Sequence, residues 1–286
     1  MKVFYTPKMV ANIESFSFSA SKPELVVKSW LAHGFNINVI EPIPITLMQL
    51  YRAHHREYVD DILACRIPNG FDNRSKVVAQ SLIYTSGAML AAAKEALLTR
   101  SFVCAPVAGF HHACWKKAED YCTFNGLMIA ALDLLRTKVA KRIGILDCDN
   151  HYGNGTDDII ENVCDDKEVI HFTTGRERHQ PDSFLATLSE RIKSLYSTCD
   201  LLLYQAGADP HIDDPLGGWM TTKQLFERDQ IVFKTARLMN LPVAWNLAGG
   251  YQRDENGEIL PVLRIHDNTM RACLSQLNVG FTNKIR

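Results

Sequence analysis

The stretch DCDNHYGNGT, residues 147–156, sets two carboxylates, an imidazole and a glycine-rich turn directly after the apolar run 143–146. A carboxylate at the end of a buried strand is costly unless it is paired or holds a cation. Three further clusters share this placement. His111 and His112 stand in PVAGFHHACW (106–115), Asp209, Asp213 and Asp214 in AGADPHIDDPLGG (206–218), and Tyr251 behind two glycines in AGGYQ (248–252). Taken singly, each has an ordinary structural explanation. A strand-end Asp is a turn former or helix cap, and paired glycines serve a turn with positive φ. Their convergence on four strand ends is the stronger signal, because open α/β sheets bind ligands beyond the carboxyl ends of their strands.

The residue types suggest metal chemistry. Asp149 and His151 are two apart, so in extended backbone they share one face. With Asp209 they make an Asp-His-Asp set, and three protein donors leave a fourth position for water or substrate, as in catalytic zinc sites. Nitrogen and carboxylate donors suit ferrous iron as well. A bound divalent ion brings the pKa of its water down to roughly 7. His111 and His112 supply a base and an electrostatic partner. Tyr251 offers a hydroxyl to a developing oxyanion, with Gly249 and Gly250 allowing close approach of the backbone. Such parts suit hydrolysis of an amide.

The elements that must position these groups alternate along the chain. Strands are expected at 3–5, 36–40, 102–105, 142–147, 168–172, 201–205 and 243–247. Helices are expected at 23–32, 46–54, 56–65, 76–98, 123–136, 155–163, 182–194, 222–239 and 259–276, with Ser21 capping the first. The runs 143–146 and 201–203 are apolar without alternation, as in parallel strands covered on both faces. The pattern predicts one α/β domain over 1–286, a mostly parallel sheet between helix layers. With 31 basic and 32 acidic residues the charge is nearly balanced, so bulk charge points to neither nucleic acid nor a membrane surface. No apolar run is long enough to span a bilayer, and the N-terminus shows no signal-peptide core. The eight cysteines include no C-x-x-C pair and read as free thiols of a cytoplasmic protein. Nothing in the pattern sets an oligomeric state.

With these blocks in hand, the sequence resembles the histone deacetylase family, including its bacterial deacetylase-like and acetylpolyamine amidohydrolase members. GFHHA (109–113) is similar to the family's P-G-H-H-A, DCDNHYGNGT to D-x-D-x-H-H-G-N-G-T, GADPHIDDPLG (207–217) to G-x-D-x-x-x-x-D-P-L-G, and AGGYQ to G-G-G-Y. The resemblance implies the arginase–deacetylase fold and a deacetylase that removes acetyl or short acyl groups from lysine side-chain amides of a peptide or protein, or from a small acylated amine. It implies Asp149, His151 and Asp209 as ligands of Zn²⁺, with Fe²⁺ as the alternative. It makes His112 the general base, His111 its electrostatic neighbour and Tyr251 the group that polarises the carbonyl. Asp147 stands behind His111, near a position that resembles the family's inner K⁺ site, and Asn154 partners His112. Tyr121, Leu216 and Gly250 line the substrate tunnel.

Three departures from the family pattern matter. Asp120-Tyr121 replaces a common Gly-Phe, and TGRERHQPD (174–182) lacks the family's F-P-G, with Gln180 at the place of a second tunnel aromatic, so both bear on acyl-chain preference. Tyr152 replaces the second histidine of H-H-G, which the resemblance does not make a ligand. Leu216 stands where polyamine-selective members carry an acidic residue, which favours acyl-lysine. A binuclear ureohydrolase on the same fold needs further carboxylates, and Gly153 and His211 stand in their places. A non-catalytic acyl-lysine binder would need neither Tyr251 nor both histidines.

Overall fold

The computed structural model describes residues 1–164, 167–176 and 180–277, so the last part of the 1–286 span lies outside the described residues. In chain order the elements are β1 (Lys2–Phe4), α1 (Lys22–Ala32), β2 (Asn38–Ile40), α2 (Leu47–Ala53), α3 (Arg56–Leu63), α4 (Lys76–Thr99), β3 (Phe102–Ala108) and α5 (Gly126–Arg136). They continue with β4 (Ile143–Asp147), α6 (Asn154–Val163), β5 (Val169–Thr173), α7 (Pro181–Tyr196), β6 (Leu201–Gly207), α8 (Thr222–Leu238), β7 (Val243–Ala248) and α9 (Leu260–Leu277). The strands form one sheet in the order β2-β1-β3-β7-β6-β4-β5. Every pairing is parallel, so all carboxyl ends lie along one edge. The four strands followed by polar clusters, β3, β7, β6 and β4, are neighbours in that order, and the clusters therefore meet.

The non-alternating apolar runs follow from burial on both faces. Leu201 and Leu203 enter a core with α2, α4 and α5, where Leu50, Met89 and Leu127 are buried. Leu202 and Tyr204 enter the opposite core with α1, α7, α8 and α9, around Trp30, Leu188, Phe233 and Met270. The run 201–203 is therefore apolar whichever way each side chain points. Trp30 and Trp245 meet at 5.7 Å between ring centroids and join α1 to the sheet.

Two local expectations change. Ser21 does not cap α1, because its hydroxyl turns back to donate to the Phe18 carbonyl at 3.2 Å. The helix expected from 123 begins at Gly126, because the Asn125 side chain accepts from the Met128 amide and fixes the start there. All eight cysteines carry free thiols. Among the described residues no helix is long and apolar enough to cross a membrane.

Candidate active site

The loop after β4 curls around its own carboxylates. Asp147 Oδ1 accepts from the Asp149 amide at 3.1 Å, and Asp149 Oδ1 from the His151 amide at 3.0 Å. These i→i+2 bonds are the local habit of Asp in turns. Thr174 anchors the loop from outside by donating to the Asp149 carbonyl at 2.6 Å. The loop after β6 brings Asp209 alongside, where its Oδ1 accepts from the Asn150 amide at 3.2 Å. Gly249, at φ +41°, leaves no room for a Cβ, which would collide with the Asp209 carboxyl group.

Asp149, His151 and Asp209 each present a donor atom within 4.8 Å of the others. His151 Nδ1 lies 3.1 Å from Asp149 Oδ1 and 2.9 Å from Asp209 Oδ2. Its Nε2 faces the Leu216 carbonyl at 3.1 Å, and a proton on Nε2 would turn the Nδ1 lone pair toward the two carboxylates. Asp209 Oδ2 is buried without a hydrogen bond. Two carboxylates facing a ring nitrogen attract either a proton or a metal ion. The Asp149 and then the Asp209 carboxylate beside the ring raise His151 to about 11. Burial, and then the charge of Asp149, push Asp209 up to about 8. Burial also opposes the charge on Asp149, but His111 and His151 outweigh it and hold that carboxyl well below its usual range. The donor set, the orphaned oxygen and the ring held at Nε2 by a carbonyl all fit a divalent ion bound through Nδ1.

His111 and His112 leave β3 through Gly109, and their rings lie 4.0 Å apart. Their partners differ in charge. His111 Nδ1 meets Asp147 Oδ2 at 2.7 Å. Burial disfavours its cation, yet Asp147 and Asp149 raise it to about 9. His112 Nδ1 meets the neutral Asn154 Oδ1 at 2.6 Å. Burial and then the neighbouring His111 lower its proton affinity. Asn154 is oriented in turn by donating to Glu119 at 2.9 Å. The two carboxylates thus favour the charged form of one ring and burial the neutral form of the other, and adjacent groups pushed apart in this way suit acid–base work.

Tyr251 faces the same space. Its ring stacks on Phe16 at 5.9 Å and lies 6.2 Å from Tyr121, which touches Phe71. Leu216 is 38% exposed at the rim. Gly250, at φ +84°, packs under Tyr251 against Ala208 and Val262. In place of the replaced histidine, Tyr152 turns outward and donates to Asp157 at 2.6 Å.

Several groups here escaped the sequence reading. Asp214, noted only as part of a cluster, accepts from the Tyr251 amide at 2.8 Å and the Leu216 amide at 3.0 Å, tying two walls together. Gln205 donates to Asp147 Oδ1 at 3.0 Å. Lys22, fully buried in the first turn of α1, donates to the Gly249 carbonyl. Arg228 of α8 donates to the carbonyls of Cys148 and Gly207 at 3.1 and 2.8 Å. Neither cation lies near a site residue in sequence, and no local signal marks them.

A parallel sheet whose adjoining strand ends carry an Asp-His-Asp set able to hold a metal ion, beside two unlike histidines, defines the class as an α/β protein with a candidate metal-binding triad. The histone deacetylase domain model matches residues 17–180, more than half of the chain, and the chain belongs to the histone deacetylase family. An uncharacterized protein of Picosynechococcus is 31% identical over 199 residues, covering 62% of this chain and 65% of that protein, just under two thirds of its length. Histone deacetylase 2 of Arabidopsis thaliana is 26% identical over 271 residues, covering 82% of this chain and 70% of that one. Acetylpolyamine amidohydrolase 2 of Pseudomonas aeruginosa is 39% identical over 83 residues, covering 28% and 23%. The solved HD domain of HDA15 superposes with a TM-score of 0.78 at 20% identity over 98% of this chain and 91% of that one, which shows the arginase–deacetylase fold.

Proposed function

We propose that this chain is a zinc-dependent amidohydrolase that removes acetyl or other short acyl groups from amides of the lysine side-chain type. Ferrous iron is the alternative metal. The observation that carries the reading is the unlike histidine pair beside the Asp149, His151 and Asp209 donor set. An ion held there supplies Lewis acidity and a water of lowered pKa. His112, neutral and oriented by Asn154, takes the proton of the attacking water and returns it to the leaving amine. His111, held charged by Asp147, stabilises negative charge that develops nearby. Tyr251 donates its hydroxyl to the oxygen of the scissile carbonyl. Tyr121 and Leu216 flank the acyl-bearing chain, and Gly250 lets the backbone approach it. A potassium ion near Asp147 belongs to the same proposal, on the family resemblance of that stretch.

The uncharged rim at Leu216 supports an acyl-lysine substrate. The 39% identity to the Pseudomonas acetylpolyamine amidohydrolase supports a small acylated amine as the second reading. The test is turnover of an acetyl-lysine peptide by protein loaded with Zn²⁺ or Fe²⁺, with His112→Ala in parallel. Loss of the general base should lower the rate by about 10²–10⁴ while substrate affinity stays close to the parent's. A fully active His112→Ala variant would falsify the mechanism.

A further inference from the structure

His171 is a buried imidazole for which the reaction above has no use. It lies on β5, beside Ile145 of β4 in register, and its side chain is 2% exposed. Nδ1 meets Asp157 Oδ1 of α6 at 2.8 Å. Nε2 points at Asp147 Oδ2 from 3.9 Å and has no hydrogen-bond partner. That oxygen is also the one that holds His111 Nδ1. Gly153 makes the approach possible, since a Cβ there would stand 2.7 Å from Asp147 Oδ2 and 3.0 Å from the His171 ring. The result is an alternating series from the site outward: His111, Asp147, His171, Asp157. Tyr152 and Arg176 close it at the surface by binding Asp157 Oδ2.

We propose that His171 is a positioning residue for the catalytic pair: clamped by Asp157, its ring stands against Asp147 Oδ2 and fixes the carboxylate rotamer that orients His111. Asp147 Oδ1 is tied down by the Asp149 amide and Gln205. Among the described residues the other oxygen is hydrogen-bonded to the His111 ring, and His171 is the further ring that faces it. Burial disfavours a charged His171, but the two carboxylates more than offset it and raise its proton affinity, which suits a ring that is bonded to Asp157 at Nδ1 and turns Nε2 toward Asp147. Outer partners of this kind typically contribute about 10–100-fold to activity. The role rests on the deacylase reading, so the experiment includes a readout that does not.

Three variants separate positioning from packing. His171→Phe keeps the ring volume and removes both nitrogens. His171→Gln places an amide nitrogen near Nε2, toward Asp147, and His171→Asn places one near Nδ1, toward Asp157. Zinc-loaded proteins are compared for metal content, kcat and KM on an acetyl-lysine peptide, and for the low-field proton resonance of His111 Nδ1–H. The phenylalanine variant should lose about tenfold or more in kcat, with KM and metal content unchanged and the resonance displaced. Glutamine should restore both, and asparagine neither. Parent-like kcat and resonance in His171→Phe overturn the proposal. So does rescue by asparagine but not glutamine, which would mean that His171 only packs β5 on α6. If the phenylalanine variant does not fold, the amide pair decides alone. If the parent hydrolyses no acylated amine, the functional reading fails while the resonance still decides the role of His171.

Discussion

Tyr251→Phe isolates one hydroxyl. The ring contributes packing through its stack on Phe16 at 5.9 Å and its approach to Tyr121 at 6.2 Å, and phenylalanine keeps both contacts. The backbone position is held by Asp214 through the Tyr251 amide, which the substitution does not touch. Burial, with Asp149 and Asp209 nearby, pushes the phenol well above its ordinary value, so the group stays protonated and available as a donor. Among the described residues no side chain or carbonyl is recorded as its hydrogen-bond partner, so its removal orphans no buried group. Stability should therefore change by less than about 0.5 kcal/mol, the usual range for substitutions that disturb no such feature. Turnover should behave differently, because loss of one oxyanion donor costs about 10²–10³ in rate, or roughly 3–4 kcal/mol of transition-state binding. Single-turnover kinetics on an acetyl-lysine peptide, with metal content and thermal midpoint measured alongside, reads both quantities. A rate within about threefold of the parent, far short of the donor-loss range, would remove Tyr251 from the mechanism. A matching loss of metal would transfer the effect to the binding site.

Three further outcomes are expected. Asp209→Ala should lose bound metal and activity together, and a full equivalent of metal in the purified variant, read by mass spectrometry, would show the ligand set to be wrong. Leu216→Glu should raise the ratio of acetylpolyamine to acetyl-lysine turnover, because a rim carboxylate would pair with a secondary ammonium; an unchanged ratio would place Leu216 away from the substrate. Burial lowers Lys22 from 10.5 to about 8, so between those values the unfolded chain binds more protons and stability rises with pH. That rise should amount to about 3 kcal/mol in the metal-free protein and be missing from Lys22→Met in denaturant titrations; equal slopes would refute it.

Much of the scaffold was legible because burial on both faces writes itself into composition: runs such as 201–203 admit no polar residue on either side of the sheet. The chemistry-bearing residues were legible because they crowd into short loops, where Asp149 and His151 are neighbours in sequence as in space. What was not legible lies inside regular elements. Lys22 reads as a surface lysine of a first helical turn, and the packing of α1 against β3 and α9 buries it. Arg228-Asp229 reads as a solvated pair on α8. His171 sits in VIHFT, the half-buried β5, where a histidine is unremarkable until Gly153 is seen to open the space beside Asp147. Ser21 failed as a cap because a competing acceptor, the Phe18 carbonyl, lies within reach of the same hydroxyl.

The placement of the buried cations explains how four carboxylates can stand together and still be available to a metal. Asp147, Asp149, Asp209 and Asp214 all lie at the carboxyl edge of the sheet. A lysine or arginine paired directly with Asp149 or Asp209 would neutralise the ligands permanently. Instead, Arg228 pairs with Asp229 at 2.8 Å and directs its Nη1 at the carbonyls of Cys148 and Gly207, while Lys22 takes the Gly249 carbonyl. Arg228 braces the backbone just before Asp149 and Asp209, Lys22 braces the glycine turn before Tyr251, and both lend a positive field without binding an Asp149 or Asp209 oxygen. His151, by contrast, meets the carboxylates directly, and its proton is one that a metal can displace. The cations that must stay are bonded to carbonyls, and the one that must leave is bonded to the ligands. On the proposed reading, a site built this way would exchange a proton for a metal ion without rearranging the strands that carry it.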